Sequence, residues 1–299
     1  INEKNEIVQI VENYMEKMAE QDKKSQEAEI DDVSKQKEFL DFGDVTYTEK
    51  NRAVVKVQDG CNMFCSYCII PYARGRIRSR KIESVVSEIE KIAKEEIKEV
   101  VITGIHVASY GKDFDNENTS KKIRLIDLLE AINKIDGIDR IRLSSLEPTI
   151  VDEEFATRLS KLDKICDHFH LSLQSGCDET LKRMNRKYTT QIYRDAVATL
   201  RKYYPEASFT TDVIVGFPGE TDEEFAKTYE FLKEIDFYRL HVFKYSPRRG
   251  TVAEKMPNQI DGNKKEERSN KLIELSNSTE NKHNQSYIGK TVKVLFEEF

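Results

Sequence analysis

Six short, mostly apolar runs punctuate residues 53–245, and helical patterns lie between them. The runs are "AVVKVQ" (53–58), "EVVIT" (99–103), "RIRLSS" (140–145), "HFHLSLQ" (168–174), "SFTTDVIVG" (208–216) and "RLHVFKY" (239–245). Helical patterns fall near 82–95, 123–135, 151–161, 189–203 and 221–234. Parallel strands need long crossovers, so this alternation predicts an α/β fold whose parallel sheet is wrapped by helices. The spacing suits an open six-unit β/α barrel, a partial version of the eight-unit one, for which the chain is too short. Chemistry in such barrels sits at the C-terminal ends of the strands, so polar motifs should follow the strands at once. They do: "DGCNMFCSYC" follows the first, "TGIHVASYG" the second and "SSLEP" the third. "QSGC", "GFPGET" and "YSPRRGT" follow the remaining three.

Outside the barrel, Ile7, Val8, Ile10, Val11, Tyr14, Met15 and Met18 recur at helical spacing and predict an amphipathic helix over 5–20. Residues 19–38 are polar without period and read as a linker or a solvated helix extension. The start, "INEKNEIVQIVENY", has neither an initiator Met nor a signal-peptide core, and reads as a break inside a longer product. At the other end a Lys-, Glu- and Asn-rich helix (263–283) gives way to "TVKVLFEEF", which reads as the first strand of another β domain. No apolar run approaches the roughly 18 residues of a membrane span, so no membrane partner is expected. Five cysteines do not make a disulfide framework in 299 residues, and the expected compartment is the reducing cytoplasm.

Residues 1–50 hold 14 acidic and 7 basic side chains, which leaves 40 acidic and 41 basic for residues 51–299. The barrel region is therefore near neutral, and "RGRIRSRK" (74–81) concentrates positive charge just after the cysteines. That run is either a solvated helix start or an anion site.

Cys61, Cys65 and Cys68 share one loop beside Gly60, while Cys166 and Cys177 lie about 100 residues on. Three thiols in one loop can be buried, can bind zinc or can hold an iron–sulfur cluster. Closed zinc sites and four-cysteine ferredoxin clusters both need a fourth ligand, and no second Cys-x-x-Cys pair answers the first set. A [4Fe–4S] cubane on three thiolates leaves one iron vacant for a substrate.

The spacing Cys-x-x-x-Cys-x-aromatic-Cys, with Tyr67 as the aromatic, resembles the radical S-adenosylmethionine superfamily. The resemblance implies that Cys61, Cys65 and Cys68 hold the cluster. It implies that the open iron chelates S-adenosylmethionine, whose reductive cleavage gives a 5′-deoxyadenosyl radical. Thr103 and Gly104 of "TGIH" resemble the segment that receives the methionine amino group. Ser145 and Glu147 are candidates for the ribose hydroxyls or the amino group. Val213 and Val215 are candidates to flank the adenine, with Gly216 giving it room; barrel core and a helix-entry turn are the bland alternatives. Gln174, Asp212 and Arg186 complete the implied cofactor shell. Read together, "KVQDGCNMFCSYCIIPYARGRIRSR", "SSLEP", "LQSGCDETLKRMNRKYT", "TDVIVGFPGETDEEF" and "YSPRRGTVA" resemble the methylthiotransferase branch over residues 48–299. Within it, "VITGIHVASYG" is similar to the enzyme that modifies N6-threonylcarbamoyladenosine at position 37 of tRNA.

That resemblance implies three regions. Residues 1–47 would be the last helix of an N-terminal domain that carries a second cluster, with its linker. Residues 48–283 would be the barrel, and 284–299 the opening strand of an RNA-binding TRAM domain. It also implies the tRNA anticodon loop and an electron donor such as flavodoxin or ferredoxin as partners, with a monomeric protein. Arg74, Arg80, Arg183, Arg186, Lys187 and Arg248 are candidates for phosphate or cofactor contacts, with helix caps and salt bridges as the alternative. Tyr245 would stack on a base or fill the barrel end, His106 would hydrogen-bond locally, and Cys166 and Cys177 would be packing residues. The other functions the residues allow are an iron–sulfur module without a substrate, a structural zinc protein, and the same chemistry on isopentenyladenosine or a protein side chain.

Overall fold

The computed structural model describes residues 32–41, 51–114 and 122–296, with five helical positions between Val8 and Met15. Val8, Gln9, Val11, Glu12 and Met15 fall within the helix expected over 5–20; the rest of that helix, and most of the linker, lie outside the described residues.

Among the described residues seven strands form the sheet: β1 (Arg52–Asp59), β2 (Arg78–Ser79), β3 (Glu99–Gly104), β4 (Arg140–Leu143), β5 (His168–His170), β6 (Ser208–Val215) and β7 (Arg239–Lys244). The helices with described bounds are, in chain order, α1 (Ile70–Arg74), α2 (Ile82–Lys94), α3 (Leu125–Asn133), α4 (Glu153–Leu159), α5 (Asp178–Arg183), α6 (Thr190–Tyr203), α7 (Asp222–Ile235) and α8 (Gly262–Ser286). β1, β3 and β4 pair in parallel, as do β5, β6 and β7. Parallel bridges Ile141–Ile165 and Leu146–Leu171 link the two groups into one curled sheet. This is the half-barrel that the alternation predicts. Its first strand carries a two-residue antiparallel edge, β2, which the sequence pattern did not disclose.

The period of two along each strand divides the sheet into two chemically distinct faces. Ala53, Val55 and Val57 are fully buried with Val85 and Ile89 of α2, and Phe169, Leu171, Phe209 and Val213 join the same helix-backed core. The alternate positions point to the concave side and are mostly polar, among them Lys56, Gln58, Glu99, Thr103, Arg142, His168, His170, Thr210 and Asp212, with Val54, Val101 and Ile214 as apolar exceptions. At the foot of that face the buried Glu99 pairs with Arg52 (2.8 Å), Arg140 (2.7 Å) and Arg142 (2.9 Å), tying together β1, β3 and β4.

Two expectations need correction. The fourth strand, expected to run to residue 174, stops at His170, beyond which Leu171 and Gln174 make isolated bridges. Gln174 takes a left-handed backbone, φ +70°, which a continuous ladder does not admit. The expected strand in 291–299 does not form over 291–296: α8 runs on to Ser286 and the chain beyond is irregular. A strand needs a neighbour to pair with, and here Asn51 Nδ2 donating to Phe296 O (2.6 Å) stands in place of a ladder. α8 instead covers β7: Leu272 is fully buried, and Ser276 Oγ accepts from Leu240 N at 2.9 Å.

Candidate active site

The loop after β1 is held by contacts from several other parts of the fold. Gly60 lies at φ +70°, and a Cβ there would meet Arg76 O at 1.7 Å, so only glycine lets the chain turn into the cysteines. Behind it, Cys61 N donates to Gly75 O (3.1 Å). The segment after α5 fastens the rest of the loop. Ser66 N donates to Met184 O (3.0 Å) and Ser66 Oγ to Arg183 O (2.8 Å). Asn185 Nδ2 donates to Phe64 O (2.8 Å), and Ala253 N donates to Ser66 O (2.8 Å). Cys61 and Cys65 are buried and Cys68 is half-buried, all three as free thiols.

Beside the thiols sits a charged network drawn from three strand ends. Arg186 Nη1 lies 3.2 Å from Cys65 Sγ, its Nη2 donates to Glu147 Oε1 (3.1 Å) and its Nε to Tyr188 OH (3.0 Å). Glu147 Oε2 is 3.2 Å from His106 Nε2 and accepts from Thr149 Oγ1 (3.1 Å). Burial alone would raise the Glu147 carboxyl, but the bond to His106 and the Arg186 charge hold it below the ordinary range. Gln58, fully buried, locks this network to the cysteine loop. Its Nε2 donates to Asp59 O and Gly60 O, both at 2.7 Å, and its Oε1 accepts from His106 N (2.7 Å). Gly104 must be glycine for this clamp, since a Cβ would come within 2.9 Å of Gln58.

The structure therefore brings Cys61, Cys65, Cys68, Gly104, Glu147 and Arg186 together. Ser145 is exposed at the same rim, and Thr103 is half-buried on the concave face one residue before Gly104. Tyr67, Ile214 and Phe243 line a cleft of about 330 Å³ against Cys68, with Arg248 at its edge. Val213 and Val215, expected against an adenine, turn their side chains into the helix-backed core instead; Ile214 between them takes the concave position. The amides of Gly216 and Phe217 are spent on Glu220 Oε2 (2.6 and 3.0 Å), so the Gly216–Glu220 segment is a helix-entry turn. Gln174 and Asp212 are joined at the rim of the sheet, Gln174 N donating to Asp212 O (2.8 Å).

The basic residues separate into two groups. Arg80 pairs with Asp41 (2.9 Å) and Glu88, Arg183 with Glu224, and Arg74 and Arg78 approach Asp59 at 3.8 and 3.5 Å. Three of the five basic residues in the 74–81 run are thus braced by carboxylates, while Arg76 and Lys81 are exposed. Lys187 and Arg248 remain exposed. Tyr245 is buried edge-on against Phe217 (5.2 Å) and fills the barrel end, while Phe243, which the sequence did not single out, is 53% exposed beside Cys68. Cys166 and Cys177 are buried away from the triad.

The donor set can be matched to the groups it might hold. Among the described residues no three His, Cys, Asp or Glu side chains converge as a single metal ion requires. A cubane takes one thiolate at each of several separate irons, which three cysteines spread along a rigid loop can supply. Burial pushes the Cys61 thiol up to about 11 and raises Cys68, so these two sulfurs carry protons that iron would displace.

Comparison with known proteins agrees with this geometry. The model of the Radical SAM superfamily matches residues 55–232. The chain is 40% identical to the threonylcarbamoyladenosine tRNA methylthiotransferase MtaB of Bacillus subtilis, over 90% of this chain and 58% of that protein. It is 41% identical to a tRNA-2-methylthio-N(6)-dimethylallyladenosine synthase of Thermoanaerobacter sp., over 91% and 57% respectively. It thus spans somewhat over half the length of these curated relatives. Among solved structures, the radical S-adenosylmethionine methyltransferase TsrM of Kitasatospora setae superposes with a TM-score of 0.55 at 21% identity, over 68% of this chain and 36% of that one. Coproporphyrinogen III oxidase of Escherichia coli gives 0.54 at 15% identity, over 78% and 54%. A curled parallel sheet, three cysteines at the end of its first strand and a family model spanning more than half the chain agree: this protein belongs to the radical SAM superfamily.

Proposed function

We propose that the chain is the catalytic barrel of a tRNA methylthiotransferase acting on N6-threonylcarbamoyladenosine, with a [4Fe–4S] cluster and S-adenosylmethionine as cofactors. One observation carries the reading: the three thiols stand in a loop fixed by the rest of the fold, in a chain resembling enzymes so named over nine-tenths of its length. Such a cluster, when bound, supplies the electron that cleaves S-adenosylmethionine. The chain's own residues do the rest. Arg186 places a positive charge and a donor at Cys65 Sγ, and it orients Glu147 as an acceptor at the rim. An amino or ribose hydroxyl group can satisfy that acceptor. Phe243 offers a face for a nucleobase, and Arg248 and Lys187 suit phosphates of the anticodon loop. Flavodoxin or ferredoxin fits as electron donor, and a cytoplasmic monomer completes the reading. Among the described residues no helix is long and apolar enough to cross a membrane.

The threonylcarbamoyl target is favoured over dimethylallyl by the "TGIH" segment at the end of β3. One cluster per chain is expected, because Cys166 and Cys177 are buried elsewhere. Anaerobic reconstitution tests this directly: about four irons per chain and production of 5′-deoxyadenosine are expected. Iron near twice that amount, or zinc in its place, refutes it. Mass spectrometry of tRNA nucleosides from a strain lacking the gene then separates the targets. Loss of the methylthio group from the threonylcarbamoyl nucleoside is expected; loss from the dimethylallyl one would reassign the substrate.

A further inference from the structure

The concave wall beneath the cleft carries polar side chains beyond the cysteine loop and the Arg186–Glu147–His106 network; among them Asp212, expected in the cofactor shell, is paired with His170 instead. Ile214 and Phe243 line the cleft beside Cys68. Asp212 and His241 lie two residues earlier on the same faces of β6 and β7, paired with each other in register. Two residues of strand are roughly 6–7 Å, so this pair floors the space below the cleft. Asp212 is 30% exposed at its side chain and His241 is exposed. Behind them His170 Nε2 stands 3.3 Å from Asp212 Oδ2, and the His170 and His241 rings are 5.6 Å apart. Thr210 Oγ1 bridges His170 Nδ1 (3.0 Å) and His168 Nε2 (3.1 Å), fixing the imidazoles. Deeper on the same face is Arg142, one of three guanidiniums around the single carboxylate of Glu99. Acceptor, imidazole and guanidinium thus follow one another down the wall.

We propose that Asp212, His241 and Arg142, backed by His170 and Thr210, seat the N6 substituent of the target adenosine and select a hydroxylated, anionic substituent over an apolar one. The inference rests on the tRNA reading above. A threonylcarbamoyl group offers N–H and O–H donors to Asp212 and a carboxylate to the positive charge below. A dimethylallyl group would strip water from these side chains and return no hydrogen bond, which is how a polar site rejects an apolar analogue.

The test is binding of the full chain, after cluster reconstitution, to three synthetic anticodon hairpins. They carry threonylcarbamoyladenosine, dimethylallyladenosine or plain adenosine. At least ten-fold tighter binding of the first than of the second is expected. Asp212→Leu with His241→Leu should erase that preference while leaving plain-hairpin affinity unchanged, which also reports that the variant is folded. Asp212→Asn, which keeps an acceptor, should retain part of it. Equal binding of both modified hairpins by the unaltered chain, or a preference that survives the double substitution, overturns the inference but leaves the tRNA reading standing. Failure to bind any hairpin overturns both.

Discussion

Arg186 is the residue whose loss should tell most. It is 8% exposed at its side chain and shared between the Cys65 sulfur and a buried carboxylate, so its removal strands Glu147 without its guanidinium. Arg186→Met is expected to destabilise the fold by about 3–5 kcal/mol in urea unfolding. The double variant with Glu147→Gln should cost less than the two single ones added together, because the stranded charge is gone. Gly60 is a backbone case. Gly60→Ala must leave φ +70° or collide with Arg76 O, a strain of roughly 1–3 kcal/mol before any clash. The expected readout is lost iron binding with unchanged far-ultraviolet circular dichroism, and normal iron content would show that the loop can turn another way. The cysteines were legible because three thiols at that spacing demand an explanation. Gln58 and Asn185 were not: each acts through carbonyls brought close only by folding, and a lone amide in sequence carries no sign of that.

At the scale of elements, the six parallel strands and the five longer crossover helices could be read from their periods, to within a few residues at their ends. α1, α5 and β2 could not, because five-, six- and two-residue elements are shorter than a detectable repeat. The terminal run 291–296 misled for a related reason, since β propensity describes a side chain's fitness for a sheet and not the presence of a partner strand. β5 yields a prediction in pH. Burial first, then the charges of Arg142, His170 and His241, depress His168 to about 4. The unfolded ring titrates near 6.5, so between those values the unfolded chain binds more protons and stability falls as pH drops. At full extent the loss is at most about 3 kcal/mol, complete near pH 4. His168→Gln should flatten the urea midpoint between pH 6.5 and 4. A slope unchanged by the substitution would assign that proton to another group.

At the scale of the whole molecule, the half-barrel sets its Glu99 ionic brace and its cysteine loop at opposite ends of the strands. The N-terminal ends of β1, β3 and β4 meet at Glu99, fully buried among three arginines, while the cysteines, Glu147 and Arg186 gather at the opposite ends of the strands. Burial would raise the Glu99 carboxyl, but the hydrogen bonds from Arg142 and Arg140 and the nearby charges hold it below the ordinary range. Its stabilising effect is therefore intact above about pH 4 and disappears as pH falls through its lowered value. Glu99→Gln leaves three guanidiniums without their shared anion, and a loss of about 3–5 kcal/mol is expected at neutral pH. Iron content per folded chain should not change, because Glu99 and its arginines stand at the opposite ends of the strands from the loop after β1. Cys65→Ser should do the reverse, removing iron and 5′-deoxyadenosine formation while the urea midpoint of the iron-free chain moves far less, since a hydroxyl replaces a thiol in a loop already held by Ser66 and Asn185. Loss of iron in Glu99→Gln at temperatures where the chain is folded would mean that the two ends of the sheet act as one unit, and that the cysteine loop depends on strain carried along β1.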